Sequence, residues 1–308
     1  LDFGHYERFL NIHCKESWSI TSGKVFLSLM EKERRGDFLG KTVQVIPHVT
    51  GEIRSRLTDI ATSENADIVL VEIGGTVGDI ENLWFLEACR ELQRDLGEEN
   101  VAFVHLGLVP VIDSQGQQKT KPLQQSVNLL RERGIFPDVI IGRSNERLSD
   151  NAKDKLHWLC NVKKKAVISD PDLNHVYGLP IIFEEEGLRD VLCDTLKLES
   201  FKDLHKWKKL VKSMNNPKRE ATIAIAGKYT DLADSYISIY EALSHCGAHL
   251  ETKVSIEWIE TSTIETSEDA AKALSCCDGV IVPGGFGTRG TEGKIKAIQH
   301  CRENNIPF

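Results

Sequence analysis

The segment "IVLVEIGGTVGDIE" combines an apolar run with a glycine-rich turn that carries three carboxylates, Glu72, Asp79 and Glu81. A glycine-rich turn after an apolar strand is typical of a loop that binds phosphate, but such a loop also needs Gly-Lys-Ser/Thr. No lysine follows the glycines in this segment. The residue types therefore argue against a phosphate-binding loop and leave open what the acids bind.

A second segment, "QQKTKPLQQS", places two lysines around a threonine after a long apolar strand. Pro122 is suited to the first turn of a helix, so the amides of that turn and the ammonium groups of Lys119 and Lys121 would face one anion. A solvated surface loop is the alternative. Adjacent strand ends of a parallel sheet converge on one crevice, which would bring this segment near the acidic turn.

The third segment is "VIVPGGFGTRGTEG", in which a proline and several glycines follow a short apolar strand. Consecutive amides without side chains can form an oxyanion hole, and a tight turn without a ligand is the alternative. Another glycine segment, "GDFLGKT", is one residue short of the Walker spacing and follows a helix-like stretch. We therefore predict a helix C-cap there.

The composition, 41% hydrophobic and 27% charged, is typical of a soluble globular protein, and 308 residues give room for two domains. No apolar run is long enough to cross a bilayer and the first residues lack a secretory signal, which predicts a cytoplasmic protein. The net charge of −8 argues against nucleic acid as a general partner, but not against phosphorylated small molecules. The eight dispersed cysteines predict reduced thiols, with zinc ligation as a minor alternative.

Apolar runs of strand length alternate with amphipathic segments of helix length. The predicted strands of the first part are "TVQVIP", "DIVLVEI", "VAFVHLGLVPVI", "DVIIGRS" and "KAVISD". Near-continuous apolar strands separated by helices predict an α/β fold with a parallel sheet flanked by helices. In such sheets, ligands bind at the carboxyl ends of the strands.

A basic amphipathic helix with an Asn-Asn-Pro break at residues 215–217 predicts a linker over residues 200–220, between domains at residues 1–199 and 221–308. A membrane-surface helix is the alternative. The second domain begins a new α/β series with the strands "ATIAIAG", "KVSIEWIE" and "DGVIVPGGFG". Three strands are few for a doubly wound domain, so we expect this second domain to be incomplete.

Six groups of residues taken together resemble the CTP synthase family: "GHYERF", "KERRGDFLGKTVQVIPH", "VEIGGTVGDIE", "KTKP", "AGKY" with "DSY", and "VPGGFGTRGTEGK". They occur in the family's order and cover the chain from end to end. The resemblance implies an amidoligase domain of the P-loop, dethiobiotin-synthetase-like type, followed by a class I glutamine amidotransferase domain. The first domain would phosphorylate O4 of UTP with ATP and replace it with ammonia, which the second domain would release from glutamine.

By this resemblance, Asp2 and Glu72 are ligands of a catalytic Mg²⁺, and Asp2 also belongs to the ATP site. The implied UTP and CTP contacts are Asp79, Ile80, Glu81, Lys119, Thr120, Lys121, Pro122, Leu123, Gln124 and Lys155. The implied adenine-side ATP contacts are Pro171, Asp172 and Leu173. A carboxylate in the acidic turn can accept a hydrogen bond from the exocyclic amine of cytosine, whereas the carbonyl of uracil would be repelled.

In the second domain, the resemblance places glutamine at Gly285 and an oxyanion loop at Gly284 and Gly285. GTP, the family's activator, is expected near Phe286, Arg289, Gly290 and Glu292. The resemblance also implies a homotetramer, association into filaments, and feedback inhibition by CTP.

The family's Walker-type loop would precede the first residue of this chain, and its glutaminase cysteine would follow "ENNIPF". We therefore expect the chain to be the middle of a family member and inactive as an enzyme by itself. A nucleotide-sensing assembly module without catalysis stays open, and the intact mass of the natural polypeptide would test it. Another glutamine-dependent amidoligase, such as a cobyrinic acid amidase, is the second alternative, and "GDIE" together with "KTKP" argues against it.

Overall fold

The computed structural model describes residues 2–112, 116–199, 203–228, 233–285 and 287–308, and leaves the side chains of residues 2, 233 and 234 undescribed. The chain divides into two compact units, Leu1–Lys202 and Asp203–Phe308, each with a parallel sheet of its own. The predicted domain limits at residues 199 and 220 stay a prediction.

The helices of the first unit are α1 (Asp2–Leu10), α2 (Ser22–Arg35), α3 (Thr50–Ser63), α4 (Leu83–Leu96), α5 (Lys121–Glu132), α6 (Asp150–Cys160), α7 (Leu179–Glu185) and α8 (Leu188–Leu196). Its strands are β1 (Val104–Leu108), β2 (Val139–Ser144) and β3 (Val167–Pro171). The second unit contains α9 (His205–Asn215), β4 (Arg219–Gly227), α10 (Ile237–Leu250), β5 (Thr252–Glu260), α11 (Ser267–Ala273), β6 (Gly279–Ile281) and α12 (Thr291–Glu303). In the described residues, no helix has the length and apolar character needed to cross a bilayer.

The strands β1, β2 and β3 form a parallel sheet in that order. The central strand β2 is buried on both faces because neighbouring side chains pack against different helices. Ile140 joins the core formed with α5 and α6, whereas Ile141 joins the core formed with α7 and α8. Apolar residues on both faces are what a sheet covered on both sides requires. The predicted α/β class, a parallel sheet flanked by helices, is confirmed.

Two predicted strands, "TVQVIP" and "DIVLVEI", are wrong. Residues 42–44 lie outside any strand, and Val45–Val49 form a kinked turn, extended at Ile46, that leads into α3. Residues 68–71 are also outside any strand, and their apolar side chains are exposed. A strand requires a paired backbone, and an apolar run does not specify where its partner lies. The long strand predicted in "VAFVHLGLVPVI" is confirmed only for the five residues of β1.

Local capping explains where several helices begin and end. Thr21 precedes α2 and its hydroxyl accepts a hydrogen bond from the Lys24 amide at 3.3 Å. Gly36 ends the same helix in the left-handed conformation that glycine adopts without strain, which confirms the predicted C-cap in "GDFLGKT". Ser149 precedes α6 and caps it as Thr21 caps α2: its hydroxyl accepts a hydrogen bond from the Ala152 amide at 3.2 Å.

The second unit has β4 at the centre of a parallel sheet ordered β5-β4-β6. Ala224 and Ala226 of β4 pack into one core with Ala270 of α11 and Cys301 of α12. The predicted basic helix is present as α9, and its Ser213 hydroxyl donates to a backbone carbonyl of α10. The sheet therefore has α11 and α12 against it, α10 lies against β5, and α9 packs on α10.

Candidate functional site

Gln118 fastens the loop after β1 to the loop after β2. Its side-chain Nε2 donates to the Ser144 hydroxyl at 3.5 Å and to the Arg147 carbonyl at 3.0 Å, and its Oε1 accepts from the Ser149 amide at 2.8 Å. These contacts hold the start of α5 at the carboxyl end of the sheet, where ligands bind in folds of this kind. We gave Gln118 no role from sequence, because its partners lie 26 to 31 positions further along the chain.

The two lysines of "KTKP" flank the first turn of α5. Thr120 is the buried N-cap residue, and its hydroxyl accepts from Gln124 Nε2 at 2.9 Å. Lys121 and Pro122 are exposed, and Lys119 is half-buried. Both lysines therefore lie beside the first amides of a helix, which can bind an anion, and the Lys119 ammonium group donates to the Gln117 Oε1 at 2.5 Å.

Leu123 and Lys155 occupy very different surroundings. Leu123 is 1% exposed and packs against Gly107 of β1, where an added Cβ atom would lie only 2.4 Å from the Leu123 Cδ1. It fixes α5 on the sheet, so its contribution to a nucleotide site would be indirect. Lys155 is exposed on α6, whose cap Ser149 is bound by Gln118. The Gln118 contacts thus connect both lysine-bearing helices.

Pro171, Asp172 and Leu173 lie where β3 ends. The Asp172 amide donates to the Ser144 carbonyl at 3.0 Å, and its carboxylate accepts from Arg143 at 3.3 Å. The Leu173 side chain is exposed. The proposed ATP segment therefore lies next to the end of β2, to which the lysine loop is also fastened.

A buried carboxyl group lies just before this segment. Asp170 of β3 is 8% exposed, and burial raises its pKa above the ordinary value. The positive charge of Arg143 opposes that rise, and the negative charge of Asp172 adds to it. The charge of Asp170 therefore depends on pH closer to neutrality than that of an exposed aspartate.

The acidic turn is stabilised by hydrogen bonds of its own side chains. The Asp79 Oδ2 accepts from the Thr76 amide at 3.2 Å, and Asn82 Nδ2 donates to the Thr76 carbonyl at 2.8 Å. Ile80 and Glu81 are exposed. Asp79 therefore shapes the turn, while its two neighbours are accessible to a ligand.

This turn packs against the second half of α5, away from the lysines. An added Cβ atom at Gly78 would lie 3.3 Å from the Cδ1 of Leu129. Lys121, at the first turn, is about two helical turns or ~12 Å from Leu129 along the axis. Within one copy of the chain, the two predicted pyrimidine-nucleotide segments are therefore separated along this helix.

Glu72 is connected to α1. The Tyr6 hydroxyl donates to the Glu72 Oε2 at 2.5 Å, although the two residues are 66 positions apart. Asp2 lies in the first turn of α1, and its side chain is outside the described part. Among the described residues, no group of three or more His, Cys, Asp or Glu side chains is arranged to hold a metal. A single carboxylate oriented by a phenol still fits Mg²⁺, which takes few protein ligands and completes its shell with phosphates and water.

In the second unit, three of the sequence motifs form one structure. Lys228 of "AGKY" is 2% exposed, and its Nζ donates to the Gly287 carbonyl at 3.1 Å. Its backbone amide donates to the Tyr236 hydroxyl of "DSY" at 3.1 Å. Arg289 donates to the Lys228 carbonyl at 2.5 Å. We gave Lys228 no role from sequence, since the partners of its side chain and its carbonyl, Gly287 and Arg289, follow 59 and 61 positions later.

Gly284 and Gly285 are exposed at the start of the glycine segment. An added Cβ atom at Gly284 would meet no atom within 4 Å, whereas one at Gly285 would lie 2.7 Å from the Lys228 Cε. The structure therefore has two consecutive exposed glycines, the second of which lies against a lysine side chain. This arrangement could hold an oxygen that gains negative charge.

The residues expected near GTP are only partly described. Gly290 is the N-cap of α12 with φ of 72°, and Glu292 is exposed in the first turn of that helix. The guanidinium of Arg289 is bound to the Lys228 carbonyl. Phe286 lies outside the described residues.

Comparison with known proteins gives first the class and then the family. Residues 231–308 match the model of the class I glutamine amidotransferases, which with the exposed glycine amides defines an α/β protein containing part of an amidotransferase domain. Residues 1–198 match the model of the CTP synthase N-terminus. The chain belongs to the CTP synthase family, and the resemblance seen in the sequence is confirmed.

Relatives match along the whole chain. A CTP synthase from Carboxydothermus hydrogenoformans is 49% identical over 309 residues, which cover 100% of this chain and 58% of the relative. A CTP synthase from Archaeoglobus fulgidus is 49% identical and covered to 57%, and one from Bacillus cytotoxicus is 45% identical and covered to 58%. The chain therefore spans somewhat more than half the length of the curated relatives that it matches.

Proposed function

We propose that this chain is the pyrimidine-nucleotide-binding part, and a portion of the glutamine-handling part, of a cytoplasmic CTP synthase. The reaction would be the ATP-dependent amination of UTP to CTP with ammonia from glutamine. The observation that carries this proposal is the set of Gln118 hydrogen bonds, which hold Lys119 and Lys121 at the carboxyl end of the sheet. Membership of the CTP synthase family supports the choice of nucleotide.

The chemistry explains why cations are needed there. O4 of uracil is a poor leaving group, so phosphoryl transfer must activate it before ammonia can displace it. Lys119, Lys121 and Lys155 would bind the triphosphate and offset its charge. Mg²⁺ at Glu72 and Asp2 would neutralise charge on the transferred group when it is bound. The Tyr6 hydroxyl would hold the Glu72 carboxylate in one orientation.

The acidic turn would distinguish CTP from UTP. The exposed Glu81 can accept a hydrogen bond from the exocyclic amine of cytosine, which would also account for feedback inhibition by CTP. The separation of this turn from Lys121 along α5 favours a site shared between copies of the chain. The proposed homotetramer, and filaments built from it, would let one copy supply the lysines and another the acidic turn.

The second unit would bind glutamine at Gly285 and stabilise the oxyanion with the amides of Gly284 and Gly285. GTP, the proposed activator, would act near Phe286, Arg289, Gly290 and Glu292. Because Arg289 already donates to the Lys228 carbonyl, GTP would compete with or share that hydrogen bond.

The pyrimidine site can be tested by thermal unfolding of the chain with Mg²⁺ and CTP, UTP, ATP or GTP in turn. A ligand at about one hundred times its dissociation constant stabilises by about 2.7 kcal/mol, which is readily seen as a rise in Tm. We expect CTP and UTP to raise Tm, and Lys121→Ala to weaken their binding about tenfold or more.

The matched control is Lys163→Ala. Lys163 is exposed and precedes β3, so it lies at the opposite end of the same sheet. This variant should keep the full response to CTP. If no nucleotide raises Tm, or if both variants lose the response equally, the proposed site is wrong.

A further inference from the structure

Two lysine side chains lie beneath the glycine segment and donate to its carbonyls. Lys294 of α12 donates from its Nζ to the Pro283 carbonyl at 2.6 Å. Lys228, at the end of β4, donates to the Gly287 carbonyl at 3.1 Å. The two contacts hold the segment at both ends, on either side of its exposed glycines.

Both ammonium groups lie under the same glycine. The position of an added Cβ atom at Gly285 is 3.4 Å from the Lys294 Nζ and 3.5 Å from the Lys228 Nζ. Burial, together with the charge of Lys228, lowers the pKa of Lys294 below its ordinary value. Two like charges are thus held close together on the buried side of the segment, which costs free energy unless a negative charge compensates it.

Peptide geometry relates these contacts to the exposed side. In a trans peptide group the C=O and the following N–H point in opposite directions. Pro283 is buried and its carbonyl is held by Lys294, so the N–H of the exposed Gly284 is directed away from that lysine. Likewise, the contact of Lys228 with the Gly287 carbonyl sets the direction of the Thr288 N–H.

We propose that Lys294 and Lys228 are positioning residues that form a cationic clamp beneath the glycine segment. The clamp fixes the direction of the Gly284 N–H and polarises the Pro283–Gly284 peptide group. The Gly284 N–H is thereby prepared to bind the oxyanion formed from a carboxamide. This inference rests on the proposed glutamine site. It adds two side chains to an oxyanion hole that the sequence predicts from backbone amides alone.

The polarisation has a measurable consequence in amide hydrogen exchange. Hydroxide removes the Gly284 amide proton and leaves an amidate whose negative charge rests largely on the Pro283 oxygen. An ammonium group on that oxygen stabilises the amidate and speeds exchange, so removing it slows exchange. Loosening or local unfolding does not slow exchange, because an amide that is already exposed gains no protection from it.

The experiment is exchange of the ¹⁵N-labelled chain, measured by NMR in the hydroxide-catalysed range. We expect Lys294→Met to slow exchange at Gly284 about tenfold, equivalent to a change of one unit in amide acidity. Lys294→Arg restores a donor and should restore the rate. Lys296→Met, which removes a lysine from the same helix, should leave the rate unchanged.

The Lys228 contact is tested in the same way at the Thr288 amide. Because Lys228 is buried, Lys228→Met can destabilise the unit, and then its exchange would be faster at many amides. Lys294→Met remains decisive in that case. Unchanged or faster exchange at Gly284 in Lys294→Met would overturn the proposal.

Titration of the same samples with glutamine separates the clamp from the function assigned to it. Slower exchange in Lys294→Met, without any glutamine-dependent shift of the Gly284 and Gly285 signals, would keep the clamp and reject the glutamine site. Glutamine-dependent shifts with unchanged exchange would keep the site and reject the clamp.

Discussion

The two candidate sites use lysine in opposite ways. In the first unit, Lys121 and Lys155 are exposed and can reach into solvent toward a ligand. In the second unit, Lys228 and Lys294 turn inward and donate to backbone carbonyls. Away from its candidate site, the first unit also contains a bound lysine, Lys32, which pairs with the buried carboxylate of Glu52 in α3.

The difference matches the kinds of charge that the two sites would bind. A triphosphate brings several full charges that flexible cations can follow, whereas an oxyanion exists only briefly and needs donors that are already in place. Ligand binding in the second unit should therefore depend more on a fixed backbone than ligand binding in the first.

The largest expected effect is that of Gly293→Ala in α12. An added Cβ atom there would lie 1.9 Å from the Thr261 carbonyl oxygen, so the helix would have to move. We expect a loss of about 3 kcal/mol in the free energy of unfolding, measured by urea denaturation. Gly74→Ala in the acidic turn, where nothing lies within 4 Å, should change it by less than about 0.5 kcal/mol. Equal losses would contradict the close approach of Gly293 to the Thr261 backbone.

A smaller effect is expected for Glu52→Gln in the first unit. Burial opposes ionisation of Glu52, but hydrogen bonds from Lys32, Ser28 and Arg56 outweigh it, so the net pKa lies below the ordinary value. At neutral pH the substitution should cost about 2 kcal/mol, measured by denaturation followed at first-unit amides. Glu31→Gln, at an exposed position of α2, is the control and should cost almost nothing.

The same carboxyl group predicts a pH dependence. A pKa that is lower in the folded than in the unfolded chain gives stability that is present above the unfolded value, 4.5. That stability is lost as pH falls through the folded pKa. The difference between Glu52→Gln and the unsubstituted chain should therefore be constant near neutrality and shrink in acid. A difference that grows in acid would contradict the ion-pair explanation.

The smallest expected effect concerns the cap of α11. The Thr266 hydroxyl accepts from the Asp269 amide at 3.1 Å, and the Asp269 carboxylate accepts from the Thr266 amide at 2.8 Å. Thr266→Ala should cost about 1 kcal/mol and should affect second-unit amides in hydrogen exchange. Thr266→Ser keeps the hydroxyl and should cost much less. If first-unit amides respond equally, the two units do not unfold separately.

Strands that are covered by helices on both faces could be predicted from their apolar sequence pattern. "DVIIGRS" and "KAVISD" are strands because their apolar side chains on both faces are covered by helices. "DIVLVEI" has the same composition and is not a strand in this structure. Apolar content therefore indicates a candidate strand, but pairing depends on distant backbone that the pattern does not contain.

The candidate sites show the same limit. The glycines of "VPGGFG" and the lysines of "KTKP" were predicted as site residues from the sequence, because their residue types and spacing are local signals. Tyr6, Gln118, Lys228 and Lys294 were not assigned roles, because each acts through a contact that the spacing does not reveal. The positioning of the sites, unlike their chemistry, had to come from the structure.

The strand β1 has one further consequence, for handling the protein. It lies at the edge of its sheet, and its Val104, Leu106 and Leu108 side chains are exposed. An apolar edge strand is a template on which other chains can add by backbone hydrogen bonding. Preparations of this chain should therefore aggregate in a concentration-dependent way. Leu106→Lys should raise the protein concentration at which aggregation begins, measured by light scattering.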